Sequence, residues 1–166
     1  YLDANGDCSR SEFIKSKKLS ITSDEKILNN ANIFIITVPT PVKKNYHPDL
    51  SLINNAIINI SKFIKKNDVI ILESTVFPGY CNKIIPNLLK KKKLKLNIDY
   101  FLGYSPERIN PGDKKHKINK INKIISASNN KTLNLMKNIY CKITSGKIYS
   151  TNSIEIAEAA FRTSYI

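Results

Sequence analysis

The sequence has 166 residues, of which 42% are hydrophobic, and this is enough apolar material for one domain with a real core, so that extended disorder is excluded. Its net charge of +14 comes almost entirely from lysine, because only three of the 27 basic residues are arginine, namely Arg10, Arg108 and Arg162. Proteins that read nucleic-acid bases rely on arginine, so we expect a solvated basic surface and no nucleic-acid partner. No apolar run has the length of a membrane span, so we expect no membrane partner either.

Short, continuous apolar runs recur along the chain and predict the strands of a buried sheet. The three strongest are Ile33–Ile36, Val69–Leu72 and Tyr100-Phe101-Leu102, and weaker candidates lie at Ile124-Ile125 and Ile148-Tyr149. The runs are bounded by polar or turn-forming residues. This pattern is typical of strands that are covered on both faces, as in a parallel sheet.

Helical patterns lie between these runs. Ser23, Asp24 and Glu25 have the features of a helix start that leads to Asn30, and Asp49 is placed to cap the next helix. That next helix carries apolar residues three or four positions apart, which predict one inward stripe: Leu50, Ile53, Ile57, Ile60 and Ile64.

Three more helices are predicted further along the chain. The first follows the Pro78-Gly79 turn, places Ile84, Ile85, Leu88 and Leu89 inward, and ends in the lysines at 90–93, whose charge suits a helix C-terminus. The second carries Leu133, Met136, Ile139 and Tyr140, and the last begins near Ser153 and runs through Ala160. The alternation of strands and helices predicts a doubly wound, mostly parallel α/β sheet.

Polar turns follow the three strongest strands and contain the candidate site residues. Thr40 lies in the first turn, Thr75 in the second, and Glu107 with Arg108 in the third. In open α/β sheets, ligands bind beyond the carboxyl ends of the strands. We therefore expect Thr40, Thr75 and Glu107 to gather around a single pocket at one edge of the sheet.

The residue types in these turns suit a polar ligand, although each also has a plainer interpretation. Two prolines hold the Thr40 hydroxyl rigidly, as they would in any stiff loop. The Thr75 hydroxyl could hold a water or a cofactor hydroxyl, or it could cap the following helix. Glu107 could act as a general base and Arg108 could bind phosphate, or the two could form a surface ion pair of little energetic value.

No metal site is expected, because the sequence offers few suitable ligands. Cys8, Cys81 and Cys141 are far apart and form no C-x-x-C pair, and the chain has only two histidines, His47 and His116. The odd number of cysteines favours a reducing cytoplasm. Each cysteine is expected to pack in the fold and not to act as a nucleophile.

Taken together, four segments resemble the UDP-glucose/GDP-mannose dehydrogenase family, most closely its bacterial branch that oxidises UDP-N-acetylhexosamines. They are Val38-Pro39-Thr40-Pro41, His47-Pro48-Asp49-Leu50-Ser51, Glu73-Ser74-Thr75-Val76 and Tyr104-Ser105-Pro106-Glu107-Arg108-Ile109-Asn110-Pro111-Gly112-Asp113-Lys114. Ala157-Glu158-Ala159-Ala160 resembles the start of the family's central helix. The resemblance implies a Rossmann-like version of the predicted fold.

The resemblance also implies an activity and a set of roles. The family oxidises C6 of a UDP-sugar with NAD, from alcohol through aldehyde to carboxylate, for the synthesis of surface polysaccharides. Thr40 would contact NAD, and Thr75 would contact NAD and help to hold the catalytic water. Glu107 would be the general base that activates this water against a thioester intermediate, and Arg108 and Ile109 would contact the nucleotide sugar. The full-length protein would be a homo-oligomer.

Three features of the family have no counterpart in this sequence. The five glycines are too far apart to form the glycine-rich phosphate loop, Phe161 stands where the family has a lysine, and no cysteine matches the family's nucleophile. We therefore expect residues 1–150 to form a partial NAD-binding domain that lacks its first strand–helix unit. Residues 151–166 would begin a central connecting helix that departs from the family at Phe161, and the chain would be inactive alone.

An alternative from a different class of protein is a non-catalytic, basic α/β module that binds nucleotides or nucleic acid. Such a module would gather its basic residues on one face. Its binding would also depend steeply on salt concentration, because contacts with phosphate release counterions.

Overall fold

The computed structural model describes residues 9–106 and 120–162. In these residues five strands form one sheet: β1 (Ile33–Ile36), β2 (Val69–Leu72), β3 (Phe101–Tyr104), β4 (Lys123–Ala127) and β5 (Ile148–Ser150). Their order across the sheet is the same as their order along the chain. All neighbouring strands are parallel except β3 and β4, which are antiparallel. The mostly parallel sheet that the sequence predicts is therefore confirmed.

The described residues also contain α1 (Arg10–Lys15), α2 (Ser51–Ser61), α3 (Ile85–Leu89), α4 (Asn130–Tyr140) and α5 (Ile154–Arg162). Two 3-10 segments, Glu25–Asn30 and Lys90–Lys92, and one π-helical segment, Tyr80–Ile84, accompany them. None of these helices combines the length and the apolar character that crossing a bilayer requires.

Helices cover both faces of the central strands, so the sheet is doubly wound as predicted. Successive side chains of a strand point to opposite faces. Ile70 and Leu72 of β2 pack in a large core with α2, α3 and α5, whereas Val69 and Ile71 pack against α4. The first core takes these residues from the helices: Ile53, Ile57, Ile60, Ile85, Leu89, Ile154 and Ala157. Burial of each such isoleucine or leucine contributes about 1.5–3 kcal/mol.

The strand β1 differs from the prediction that every apolar run is buried on both faces. Phe34 and Ile36 point into the core, whereas Ile33 and Ile35 are 37% and 43% exposed in the described part of the chain. Continuous apolar sequence therefore predicted the strand correctly but not its burial. Burial depends on which element covers each face, and the strand's own residues do not encode that neighbour.

The helix α2 begins close to the predicted position. Asp49 accepts a hydrogen bond from the backbone N–H of Ser51 at 3.0 Å, although Leu50 occupies the N-cap position itself. The predicted apolar stripe is confirmed for Ile53, Ile57 and Ile60, which are buried on α2. Ile64 is buried beyond the end of the helix, and Leu50 is only partly buried.

The single helix predicted after Pro78-Gly79 is instead a series of three short segments. Gly79 has a φ of 90°, and the π-helical turn starts at the next residue. Pro86 follows near the start of α3 and has no N–H to bond to an earlier carbonyl, so the regular ladder cannot run through it. The predicted inward residues Ile85 and Leu89 are nevertheless buried.

Smaller differences lie at the element ends. The strand β3 starts at Phe101, one residue later than predicted, and the segment that begins at Glu25 is a 3-10 helix capped by Asp24. The helix α1 was not predicted at all. Its start is a capping box in which Ser9 and Glu12 bond to each other's backbone N–H, and this S-x-x-E pattern is a signal that the sequence does carry.

Candidate functional site

The turns after β1 and β2 lie side by side at the carboxyl edge of the sheet. The register of the parallel strands places Ile36 beside Leu72, and Leu72 beside Tyr104. Beyond the strand ends, the backbone N–H of Glu73 donates to the carbonyl of Ile36 at 2.9 Å, and the Ser74 hydroxyl donates to the carbonyl of Val38 at 2.5 Å. The segments that carry Thr40 and Thr75 are thus fastened to each other.

The Thr40 hydroxyl is the first candidate ligand-binding group. Its Oγ1 atom is buried and has no hydrogen-bond partner among the described residues, and the Ser105 Oγ directly after β3 is in the same state. A buried hydroxyl without a partner costs about 1–3 kcal/mol. Such groups are normally completed by a ligand or an ordered water, so both hydroxyls fit a cofactor that brings polar atoms to this edge.

The Thr75 side chain is exposed and lines a pocket of about 530 Å³. The other lining residues come from the loop after β1 and from the turn that holds Thr75, and they are Tyr46, His47, Pro48, Leu50, Val76 and Phe77. Thr40 is not among them. The helical segment after this turn begins at Tyr80, and its N-cap is Gly79 with no side-chain hydrogen bond, so the interpretation of Thr75 as a helix cap is wrong.

A short hairpin over residues 41–49 forms one wall of the pocket. Val42 and Pro48 form an antiparallel bridge, and the N–H of Lys43 donates to the carbonyl of His47 at 2.8 Å. Lys43 also faces the Asp49 carboxylate at 3.7 Å. The pKa of Asp49 is lowered, first by the hydrogen bond from the Ser51 backbone and further by Lys43.

A buried carboxylate that the sequence analysis did not single out supports the turn after Thr75. Glu158 of α5 is fully buried, and its two oxygens accept hydrogen bonds from the backbone N–H of Gly79 at 2.5 Å and of Cys81 at 2.9 Å. Glu155 is one turn earlier on α5 and accepts from the Asn82 amide at 2.6 Å. Glu158 lies four residues after Ile154, on the apolar face of α5. A carboxylate at such a position indicates a buried group that needs hydrogen-bond donors, and this was the signal in the sequence.

A second buried charged cluster lies on the face that α4 covers. Glu73 continues the alternation of Val69 and Ile71, and its carboxylate accepts a hydrogen bond from the Tyr140 hydroxyl at 2.5 Å. The ammonium group of Lys123 lies 3.4 Å from the same carboxylate and is 2% exposed. The cluster anchors the residue that directly precedes Ser74 and Thr75.

Burial also determines the chemistry of two further groups near this edge. Burial raises the pKa of the Cys81 thiol well above its ordinary value, and the neighbouring Glu158 carboxylate raises it further. Burial likewise raises the pKa of Tyr104, which ends β3 and touches the backbone of Val76. Cys81 is therefore a neutral packing residue, as predicted, whereas Cys141 is exposed, so the prediction that it packs in the fold is wrong.

The prediction that Thr40, Thr75 and Glu107 gather around a single pocket stays a prediction, because Thr40 does not line the Thr75 pocket. Thr40 and Thr75 lie on adjacent turns at one edge, and Thr75 lines the pocket. Glu107, Arg108 and Ile109 lie outside the described residues. Their roles remain predictions.

Comparison with known proteins gives a consistent result for most of the chain. Residues 9–144 match the UDP-glucose/GDP-mannose dehydrogenase family, NAD binding domain. The chain is 39% identical over 160 residues to a UDP-N-acetyl-D-glucosamine 6-dehydrogenase of Pseudomonas aeruginosa, and the match covers 96% of this chain and 38% of that protein.

Solved structures agree with this match. A UDP-D-ManNAc dehydrogenase from Pyrococcus horikoshii superposes with a TM-score of 0.74 at 29% identity, covering 92% of this chain and 37% of that one. A UDP-glucose dehydrogenase from Pyrobaculum islandicum shares the fold, with a TM-score of 0.79 at 17% identity over 93% of this chain and 36% of that one. The chain spans little more than a third of these relatives. It belongs to the UDP-glucose/GDP-mannose dehydrogenase family, and its matched residues form the Rossmann-like NAD-binding domain.

Proposed function

We propose that this chain provides the NAD-binding part of a nucleotide-sugar 6-dehydrogenase that oxidises the C6 alcohol of a UDP-N-acetylhexosamine to the uronate, for surface polysaccharide synthesis. The names of the relatives from Pseudomonas aeruginosa and Pyrococcus horikoshii support this class of substrate. The observation that carries the proposal is the buried Thr40 hydroxyl, which has no partner in the described residues and lies on the turn beside the Thr75 pocket.

In this proposal the two threonines bind the cofactor from adjacent turns. The Thr40 hydroxyl completes its hydrogen bonding with a polar group of NAD, and the exposed Thr75 hydroxyl binds NAD and orients the catalytic water. A hydroxyl can donate one hydrogen bond and accept others, so Thr75 can serve both. When bound, NAD accepts the hydride that leaves C6 in each oxidation.

Glu107, Arg108 and Ile109 take the remaining roles, on the strength of the family resemblance. The Glu107 carboxylate is the general base that removes a proton from the water attacking the thioester. The Arg108 guanidinium suits an anionic nucleotide sugar, because its charged N–H groups bind phosphate oxygens strongly. Ile109 contacts the same substrate.

We further propose that the 166-residue chain binds NAD but does not turn over a sugar nucleotide. No cysteine of the sequence matches the family's nucleophile, and Cys81 is buried with a raised pKa. Cys141 is exposed but the family resemblance gives it no role, so we expect no thioester to form on this chain. Homo-oligomerisation of the full-length protein stays a prediction.

Calorimetric titration of NAD into the chain tests the cofactor site. Thr40→Val removes the hydroxyl at nearly constant volume, and we expect NAD to bind about three- to tenfold more weakly, which corresponds to one lost hydrogen bond. Thr22→Val is the matched control, because Thr22 is an exposed threonine outside the pocket. Equal NAD affinity in the wild type and Thr40→Val would contradict the proposed role of Thr40.

A turnover assay tests the second part of the proposal. The chain is incubated with NAD and, in separate reactions, with UDP-N-acetylglucosamine, UDP-N-acetylmannosamine and UDP-N-acetylgalactosamine, and NADH formation is followed by absorbance. We expect no NADH above the rate without sugar. Formation of NADH with any of these substrates would show that the 166 residues suffice for catalysis.

A further inference from the structure

Tyr46 adopts a backbone conformation that is unfavourable for its residue type. It lies at the tip of the 41–49 hairpin with a φ of 62°, and its N–H donates to the carbonyl of Lys43 at 2.9 Å. The left-handed region suits glycine, because the Cβ of any other residue comes too close to the following carbonyl oxygen; asparagine tolerates it through local hydrogen bonds of its side chain. The ring is also 91% exposed, so burial in the protein does not compensate for this strain.

Tyr46 and Phe77 are the two aromatic residues that line the Thr75 pocket. Phe77 is 38% exposed, and it packs edge-on against Tyr80 with 5.6 Å between the ring centroids. Tyr80 is fully buried and donates its hydroxyl hydrogen to Asn54 at 2.6 Å. Phe77 is therefore held in place by a core residue, whereas Tyr46 is held only by the hairpin.

The remaining walls make the pocket suitable for a flat ring with a polar edge. Pro48, Leu50 and Val76 are apolar, and His47 and Thr75 are the polar residues of the lining. The volume of about 530 Å³ lies within the range of small-molecule sites. Aromatic side chains stack on nucleotide bases of any identity because every base has a π face.

We propose that Tyr46 and Phe77 form an aromatic clamp that stacks on the heterocyclic ring of a bound nucleotide. This inference rests on the proposed function for the presence of a nucleotide, and it adds the residues that recognise the ring. In this proposal the Tyr46 ring, which belongs to a largely exposed residue of the hairpin, stacks on one face of the bound ring, while Thr75 binds a polar substituent of the ligand.

Tyr46→Gly removes the aromatic ring and also relieves the strain of the positive φ. Glycine tolerates the positive φ, so the melting temperature should stay unchanged or rise, while loss of stacking should weaken nucleotide binding about tenfold. Tyr46→Phe keeps the stacking surface and should bind within about twofold of the wild type. Tyr149→Ala is the matched control. Tyr149 is a 50% exposed tyrosine on β5, the last strand of the sheet, whereas the pocket lies beyond β1 and β2 at the other side of the sheet.

The probes are AMP, nicotinamide mononucleotide and UDP, each titrated separately, followed by NAD. A tenfold loss for at least one mononucleotide in Tyr46→Gly, but not in Tyr149→Ala, supports the clamp and identifies which ring it holds. Equal affinities in the wild type and Tyr46→Gly for all probes overturn it, as does failure of the wild type to bind any of them.

The same titrations distinguish this inference from the proposed function. If NAD and all three mononucleotides bind equally well to the wild type and Tyr46→Gly, the cofactor site stands and the clamp is wrong. If the wild type binds UDP in a Tyr46-dependent manner but does not bind NAD, the clamp stands and the assignment of the cofactor site to NAD is wrong.

Discussion

Replacing Glu158 with alanine should destabilise the turn that follows Thr75. In the wild type one carboxylate from α5 accepts the N–H groups of both Gly79 and Cys81, at 2.5 and 2.9 Å. The side chain is fully buried, so water cannot easily replace it. Alanine would leave both donors without an acceptor.

The magnitude follows from these two bonds. Each buried N–H that loses its acceptor costs about 1–3 kcal/mol, so the two together cost about 2–6 kcal/mol. Removing the carboxylate also removes the free-energy cost of keeping it away from water, which offsets part of this loss. The raised pKa of Glu158, caused mainly by burial, indicates that this cost is substantial. We expect a net loss of about 3 kcal/mol, which lowers the melting temperature by about 6–12 °C for a domain of this size.

Urea unfolding followed by circular dichroism measures the loss, and hydrogen exchange shows where it arises. The amides of Gly79 and Cys81 should exchange faster in Glu158→Ala. Glu155→Ala is the control, because Glu155 lies on the same helix but is only partly buried and bonds to the Asn82 side chain. This control should lose no more than about 1 kcal/mol.

The reasoning is refuted if the two variants unfold at the same urea concentration. It is equally refuted if Glu158→Ala is destabilised while exchange at Gly79 and Cys81 is unchanged. In that case the carboxylate would act through packing of α5 and not through the turn.

Gly103→Ala should cost about 1–3 kcal/mol in urea unfolding, because the new methyl would overlap the Met136 sulfur. Met136→Ala in the same chain should recover part of the loss, and additive losses would contradict the clash. Lys123→Met should cost about 3 kcal/mol, since the mostly buried Glu73 carboxylate then faces an apolar group, and an unchanged unfolding midpoint would disprove this. Burial raises the pKa of Glu158 above its ordinary 4.5, so the folded state holds that proton more tightly, and this contribution is lost as the pH rises through the raised pKa. The stability of the wild type relative to Glu158→Gln should therefore fall as the pH rises above 4.5, and a difference independent of pH in urea unfolding would contradict it.

The sheet and its carboxyl edge could be predicted from the sequence because both depend on local patterns. Continuous runs of isoleucine, valine and leucine gave β1 and β2 with correct ends, and the proline turns after them gave the positions of Thr40 and Thr75. Parallel strands place their ends at one edge, so the proximity of these two turns needed no knowledge of long-range contacts.

The parts that could not be predicted depend on partners distant in the sequence. The Glu158 carboxylate reaches N–H groups that lie 79 and 77 residues earlier, and Glu73 meets Tyr140 across 67 residues. A pattern of neighbouring residues cannot specify such a pair. The division of the helix after Gly79 could have been predicted from the sequence. Pro86 has no N–H to donate, so it argues against one regular helix through this position.

The identity of strand order and chain order has a consequence for how this protein is made. A strand newly released from the ribosome always finds its neighbour already synthesised and the outer edge of the growing sheet open. None of the five described strands has to be inserted between two that are already paired. The five described strands can therefore assemble by stepwise addition during translation, each one pairing with its predecessor before the next is made.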